Sequence, residues 1–218
     1  MTTTPNQKGP TMRAWHGNPA LKAEVLARML QHRVQDSIIQ GSYQLYAPEL
    51  ALQYRGCLIG CTLPMGKLST WVDDCCDEVQ DIEDMDWHPM VEELYGISQR
   101  VNGLWERVFE FLPVEKAPWF AVATIEATPV GADMDLVEEC LEQEMRAHFK
   151  DDIPPRVGWN SELIQLFSRH VDFDDDYRKT VVWVAEMIIR VLKECDPNPI
   201  IPFETVADVE EDTRVPVA

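Results

Sequence analysis

Apolar residues recur every three or four positions along most of this chain, which is the spacing of one face of an α-helix. The first such segment opens at Asn18 and Pro19, a helix-capping residue followed by a proline suited to the first turn. It ends at Gly41, a residue type common just after helices. The apolar positions are numerous enough to predict a helix over residues 18–40 that is buried on more than one side. They are Leu21, Val25, Leu26, Met29, Leu30, Val34, Ile38 and Ile39.

The same spacing predicts further helices at residues 69–79, 88–96, 99–112, 118–128, 136–149, 161–170 and 175–195. Ser98 is suited to cap the third of these, and Asp135 with Glu138 resembles a capping box for the helix at 136–149. Tyrosines and leucines around Pro48 indicate either a short hairpin or a packed loop over residues 42–55. We therefore predict a mainly α fold, a single-domain bundle of long and short helices with at most one minor hairpin.

The two ends of the chain lack this pattern. We expect residues 1–12 to form a flexible arm and residues 13–196 to form the helical domain. Residues 197–218 are expected to form an acidic tail that contains several prolines. The first residues contain no apolar stretch of the kind found in signal peptides. The longest apolar segment, residues 181–192, is too short and too charged to span a bilayer. We therefore expect a cytoplasmic protein without membrane contact.

The charge of the chain is strongly negative, with 38 acidic residues against 19 basic ones and a net charge of −19. Such a surface repels nucleic acids and anionic membranes, which argues against direct binding of either. Eight acidic residues fall within residues 73–86 alone. A solubilising surface is the simplest interpretation, and an acidic decoy that occupies a nucleic-acid-binding protein is an alternative.

The least ordinary segment is residues 56–63, in which a Gly-Cys pair occurs twice at a spacing of four. On a helix, Gly56 and Gly60 would share one face, and Cys57 and Cys61 would share the next. Glycine inside a helix costs roughly 1 kcal/mol against alanine, so we expect another backbone to pack closely against this face. A thiol redox pair or a metal site are the alternatives, although two cysteines alone do not complete a metal site.

A second candidate site contains His88 and Glu92, which lie four residues apart and so share one helix face. Together with Asp84 and Asp86 they offer ligands for a divalent cation, the one cofactor that the sequence suggests. The simpler alternative is a helix start at which acidic residues favour the positive end of the dipole.

His16, between Trp15 and Gly17, is a third candidate. It is a possible catalytic residue together with Cys57 and Cys61. The alternative is that Trp15 packs against the start of the first helix while His16 forms a local hydrogen bond.

Four signatures together resemble a family of uncharacterised bacterial proteins: WHGxPxLK at 15–22, GCxxGCTL at 56–63, HxxxExxxGI at 88–97 and GAD at 131–133. The resemblance covers about residues 13–149 and, more faintly, the last helix. The family has no assigned activity, so the resemblance implies which segments correspond between its members and implies no function. The chain departs from it at Pro64 and Met65, where a histidine is expected, and at Ser98, where a proline is expected. The first departure weakens any Cys/His metal site, and residues 68–86 look like extra length.

The sequence contains no strong catalytic motif. We therefore expect a helical binding or structural protein that self-associates or docks a protein partner. A metal- or thiol-dependent enzyme is the second hypothesis. It requires residues distant in sequence to meet in one pocket, namely His16, Cys57, Cys61, His88 and Glu92.

Overall fold

The computed structural model of the protein describes residues 11–64, 87–149 and 175–197. These residues form a mainly helical fold with seven α-helices and one small antiparallel hairpin, as the sequence pattern predicts. The elements in chain order are a 3-10 turn (Ala14–Gly17), α1 (Pro19–Val34), β1 (Leu45–Tyr46), β2 (Tyr54–Arg55), α2 (Leu58–Thr62), α3 (Trp87–Tyr95), α4 (Gln99–Phe111), α5 (Ala117–Ala127), α6 (Met134–His148) and α7 (Asp175–Glu194). The helices predicted at 69–79 and 161–170, most of the arm and nearly all of the tail lie outside the described residues.

Helix α5 lies at the centre of the bundle. It packs against α1, α4 and α7, and Phe120, Ala121 and Ile125 are almost fully buried. The burial of apolar side chains is the main driving force for such packing. Within the described ranges, no helix is both long and apolar enough to cross a membrane.

Helix α1 is shorter and less buried than the sequence predicts. It ends at Val34 instead of residue 40, because Asp36 adopts a left-handed conformation with φ of 50°. The following residues pair with Gly56, whose carbonyl accepts a hydrogen bond from the Ile39 amide at 2.8 Å. The expectation of burial on more than one side is wrong for Leu30 and Val34, which are exposed.

The minor hairpin exists. Leu45 pairs with Arg55 and Tyr46 with Tyr54 in antiparallel register. Its two strands contain only two residues each, and Tyr54 is the one of the four that is buried in the core. The hairpin also places Ser42 and Tyr43, just before β1, against the start of α2. This contact forms part of the candidate site.

Two predicted helix caps have different outcomes. Ser98 caps α4 as expected and accepts a hydrogen bond from the Val101 amide at 3.4 Å. Helix α6 starts two residues earlier than predicted because Asp133, and not Asp135, is its N-cap. The Asp133 carboxylate accepts from the amides of Asp135 and Leu136 at 3.1 and 3.3 Å.

Candidate functional site

A pocket of about 440 Å³ lies beside α4. One wall is the segment of residues 41–45, and a second is the start of α3 with Trp87 and His88. The floor is one face of α4, to which Gly103, Glu106, Arg107 and Glu110 contribute. The volume falls within the range of small-molecule binding sites.

The aromatic part of the pocket is well ordered by its contacts. The rings of Tyr43 and Trp87 stack with centroids 5.1 Å apart and planes 9° from parallel. His88 presents its ring edge-on to Tyr43, and its Nδ1 is hydrogen-bonded to the side-chain oxygen of Asn102. The Asn102 amide nitrogen in turn donates to the carbonyls of His88 and Ile97. These bonds fix the position of the imidazole at the pocket.

The floor of the pocket contains two carboxyl groups in contact. Glu106 and Glu110 lie one turn apart on α4 and hydrogen-bond to each other. The Glu110 carboxyl accepts the Gly41 amide at 2.8 Å, and that of Glu106 accepts the Ile59 amide at 3.5 Å. The thiol of Cys57 is also hydrogen-bonded to Glu106.

Burial dominates the electrostatics of this cluster. It raises the pKa of Glu106 to about 7 and also raises the pKa of Glu110. The pKa of the Cys57 thiol lies well above its usual range because the thiol is buried and Glu106 is close to it. A charged carboxylate pair in contact is unfavourable, which favours a shared proton on the two glutamates.

Cys57, Glu106 and Glu110 form a group of three metal-ligating side chains. One ligand atom from each lies within 4.8 Å of the other two. Cys57 is fully buried behind Glu106, whereas the two glutamates line the pocket. The cluster therefore lies at the junction of the pocket with the core.

The Gly-Cys segment has the close packing that the sequence predicts. A Cβ at Gly56 or Gly60 would lie 2.0 or 1.4 Å from the carbonyl oxygen of Tyr43, so only glycine leaves room for that backbone. The segment is helical only from Leu58 onwards. Cys57 is the N-cap of α2, and its sulfur accepts a hydrogen bond from the Gly60 amide at 3.4 Å.

The two cysteines of the segment have different neighbours. Cys61 donates its thiol to the Gly56 carbonyl at 3.2 Å, within the core, whereas Cys57 faces Glu106. Burial raises the pKa of the Cys61 thiol. Both thiols are therefore protonated near neutral pH, a state in which thiols are poor nucleophiles.

The last carbonyls of α2 are held by side chains from three parts of the chain. Tyr95 and Arg28 donate to the Thr62 carbonyl, Gln44 donates to Gly60, and Tyr54 donates to Leu63. These bonds satisfy groups that a helix end leaves unpaired. They also fix the short helix whose cap is Cys57.

His16 lies apart from the pocket cluster. Its Nε2 is hydrogen-bonded to the carbonyl of Glu93 at 3.0 Å, 77 positions further along the chain, so the local hydrogen bond given above as the alternative is wrong. Trp15 is buried, and its indole nitrogen donates to the Thr128 carbonyl at 3.1 Å. Trp15 and His16 both have positive φ values, 56° and 49°.

Glu92 has a partner of its own on α4. Its carboxylate accepts from the amide and the side chain of Gln99, at 2.8 and 3.2 Å. Asp84 and Asp86 lie outside the described residues, so their predicted cation site with His88 stays a prediction. Of the four residues of that predicted site, His88 lines the pocket, together with Glu106 and Glu110.

Sequence reasoning missed the two glutamates. Glu106 and Glu110 are like charges four residues apart on a predicted helix, a pairing that is mildly destabilising at a surface. In the sequence, this unfavourable spacing next to the apolar residues Trp105 and Phe109 is the one sign that the two glutamates form a site. Their proximity to Cys57 depends on the packing of α2 against α4.

Three of the four family-like signatures meet in one junction. The Ala14 amide donates to the Ala132 carbonyl, and the Gly131 amide donates to Ala14, both at 2.9 Å. A Cβ at Gly96 would lie 2.2 Å from the Arg13 carbonyl oxygen. Together with the hydrogen bond of His16 to the Glu93 carbonyl, these contacts give a structural role to the signatures at 88–97 and 131–133 and to the start of the signature at 15–22.

No family model, curated protein or solved structure matches this chain. The resemblance to a bacterial family therefore stays a prediction.

Proposed function

We propose that the protein binds a small cation, either a metal ion or a protonated amine, in the pocket beside α4. The observation that carries this proposal is the carboxyl pair at the pocket floor. Glu106 and Glu110 are hydrogen-bonded to each other, and among the described residues no basic side chain forms an ion pair with either. Arg107 lines the same pocket, where it is exposed, and its charge opposes the rise in the pKa of Glu110 without forming an ion pair with it.

The physical reason is that two carboxylates in contact need a positive charge between them. A proton supplies it in the free protein, and a cation that replaces the proton satisfies both groups at once. The stacked rings of Tyr43 and Trp87 offer an aromatic wall, which also suits an organic cation. A pocket of about 440 Å³ has room for either kind of ligand.

Thermal melts of the full chain test this proposal. The probes are ZnCl₂ and doubly protonated 1,4-diaminobutane, each compared with KCl at matched ionic strength. A ligand that binds only the folded state at a hundredfold excess over its Kd adds about 2.7 kcal/mol of stability. We expect at least one probe to raise the melting temperature above the KCl value.

Two double variants separate the pocket from general screening of the acidic surface. Glu106→Gln with Glu110→Gln should abolish the specific rise. Glu115→Gln with Glu126→Gln removes two carboxyl groups from exposed positions and should leave the rise intact. If neither probe exceeds KCl, or if both double variants respond alike, the proposal is wrong.

Self-association or docking of a protein partner is a second proposal, supported by a different feature. Leu45 and Tyr46 on β1 are 45 and 70% exposed, and large apolar side chains exposed side by side favour contact with another protein surface. Light scattering over a range of protein concentrations tests it. Leu45→Lys with Tyr46→Lys should shift any oligomer towards the monomer, and a concentration-independent monomer would exclude self-association.

A further inference from the structure

We infer that Cys57 supplies a sulfur ligand and that the cluster Cys57, Glu106 and Glu110 binds a zinc-class divalent metal ion. The inference rests on the proposed function, since it uses the same carboxyl pair, and it goes further by assigning the cation and a third ligand. The geometric basis is that one ligand atom from each residue lies within 4.8 Å of the other two.

The backbone holds these ligands from two directions. Glu106 and Glu110 project from one face of α4, one turn apart, and Cys57 is fixed at the N-cap of α2. Amides of Gly41 and Ile59 orient the two carboxyl groups. Outer hydrogen bonds of this kind orient metal ligands and strengthen metal binding.

The donor set selects the class of metal. One thiolate with two carboxylates suits zinc and its neighbours in the transition series, whereas magnesium and calcium favour oxygen ligands only. Zinc accepts sulfur, nitrogen and carboxylate ligands together in tetrahedral sites. Binding would displace the protons that the thiol and the carboxyl pair hold, as metal binding to such groups generally does.

The site would keep an open side. Both glutamates line the pocket, and Cys57 closes the cluster from the core. Zinc sites with three protein ligands leave a fourth position for water or substrate, and here that position faces the pocket. His88 also lines the pocket, so an incoming ligand would meet its side chain.

A buried indole gives a separate indication of a ligand. Trp87 lines the pocket and is 1% exposed, and among the described residues its Nε1 has no hydrogen-bond acceptor. An unsatisfied buried donor is unfavourable. The Nε1 atom is closed to water in this conformation, so a ligand in the pocket satisfies it only if the pocket wall moves.

The experiment uses Co²⁺ as a spectroscopic probe for zinc in the reduced full chain. Coordination by a thiolate gives a sulfur-to-cobalt charge-transfer absorption that oxygen ligands do not give. Cys61 provides the matched control, since it is equally buried in the same Gly-Cys segment but its thiol donates to the Gly56 carbonyl. We expect the absorption in the native protein and in Cys61→Ala, and its disappearance on addition of Zn²⁺.

Cys57→Ser keeps a polar cap on α2 and should lose this absorption. Its Zn²⁺ affinity should fall by at least about tenfold, the lower limit for loss of even an outer partner of a metal site. The same result is expected in a background with Cys140→Ser and Cys195→Ser. Circular dichroism confirms that each variant is folded.

The outcomes distinguish this inference from the proposed function. If the absorption persists in Cys57→Ser, the sulfur comes from another cysteine and the inference is wrong. If diaminobutane binds through the two glutamates while Co²⁺ gives no sulfur band, the inference fails and the cation pocket stands. If neither cation depends on Glu106 and Glu110, both fail.

Discussion

The carbonyl oxygen of Tyr43 occupies the space that a side chain on Gly60 would need, with only 1.4 Å between that oxygen and the position of a Cβ. The neighbouring glycine, Gly56, is restricted by the same oxygen. The two glycines of the repeated Gly-Cys pair therefore leave the space that the carbonyl group of Tyr43 occupies. This contact sets the position of the pocket wall, since Tyr43 is also the residue that stacks on Trp87.

Gly60→Ala should destabilise the protein by about 1–3 kcal/mol, because the added methyl overlaps a backbone atom that must shift. Gly103→Ala is the matched control. Gly103 lies inside α4, and the nearest atom to its Cβ position is a His88 ring carbon 4.0 Å away, so alanine should gain up to about 1 kcal/mol of helix propensity. Urea denaturation measures both, and equal effects of the two changes would contradict the packing argument.

The pH dependence of stability should contain two opposing contributions. Burial lowers the pKa of His32 to about 4, so this residue stabilises the fold above pH 6.5 and loses that contribution as the pH falls towards 4. Its contribution is about 3 kcal/mol. Glu106 has a raised pKa of about 7, so its contribution is present below pH 4.5 and is lost as the pH rises through 7.

Two variants separate these contributions. Relative to the native protein, His32→Gln should lose less stability between pH 6.5 and 4.5, and Glu106→Gln should lose more. The free energy of unfolding in urea at each pH measures this. If the two variants have the same pH slope as the native protein, the folded-state pKa values of both residues are ordinary.

Cys140 and Cys195 should form a disulfide under oxidation. Their thiols are hydrogen-bonded to each other across the contact of α6 with α7, and both are half-buried. With oxidised glutathione, the two thiols lose two electrons and two protons while the oxidant becomes two reduced glutathiones. The link should raise stability by about 2–4 kcal/mol.

Peptide mapping by mass spectrometry under non-reducing conditions identifies this disulfide. Cys140→Ser should abolish both the link and the rise in melting temperature, whereas Cys61→Ser should retain both. A mixed disulfide of each cysteine with glutathione, without the link, would show that the thiols do not reach bonding distance.

The cation site predicted from the sequence and the one proposed from the structure make opposite predictions for Glu92. Its carboxylate holds the Gln99 amide at the start of α4. We expect Glu92→Gln to lower stability by about 0.5–2 kcal/mol, as loss of a helix cap does, and to leave the Zn²⁺ response unchanged. A Zn²⁺ response lost in Glu92→Gln but kept in Glu110→Gln would favour the site at His88, Glu92, Asp84 and Asp86.

The sequence predicts most helices because helical periodicity is local information. Helices α3, α4, α5 and α7 lie within one or two residues of their predicted bounds. The end of α1 could not be predicted from local spacing. The residues that follow Val34 form hydrogen bonds with Gly56, far along the chain, instead of continuing the helix. Gly41, taken as the stop signal, instead donates its amide to Glu110.

The candidate site was predictable only in part for the same reason. The spacing of the Gly-Cys pairs indicated close approach of another backbone, and Cys57 and His88 were both singled out. Which cysteine is hydrogen-bonded to Glu106 depends on the contact of α2 with α4, since Cys57 and Cys61 carry the same chemistry in the sequence. Only tertiary packing distinguishes them.

The hydrogen bond from the Trp15 indole to the Thr128 carbonyl joins residues 113 positions apart. Contacts of such long sequence separation require closure of a large loop, and that entropy is recovered only once both partners are already in place. The turn at Trp15 should therefore dock late in folding, after α5 has found its neighbours. A destabilising change there, such as Trp15→Phe, should speed unfolding far more than it slows folding.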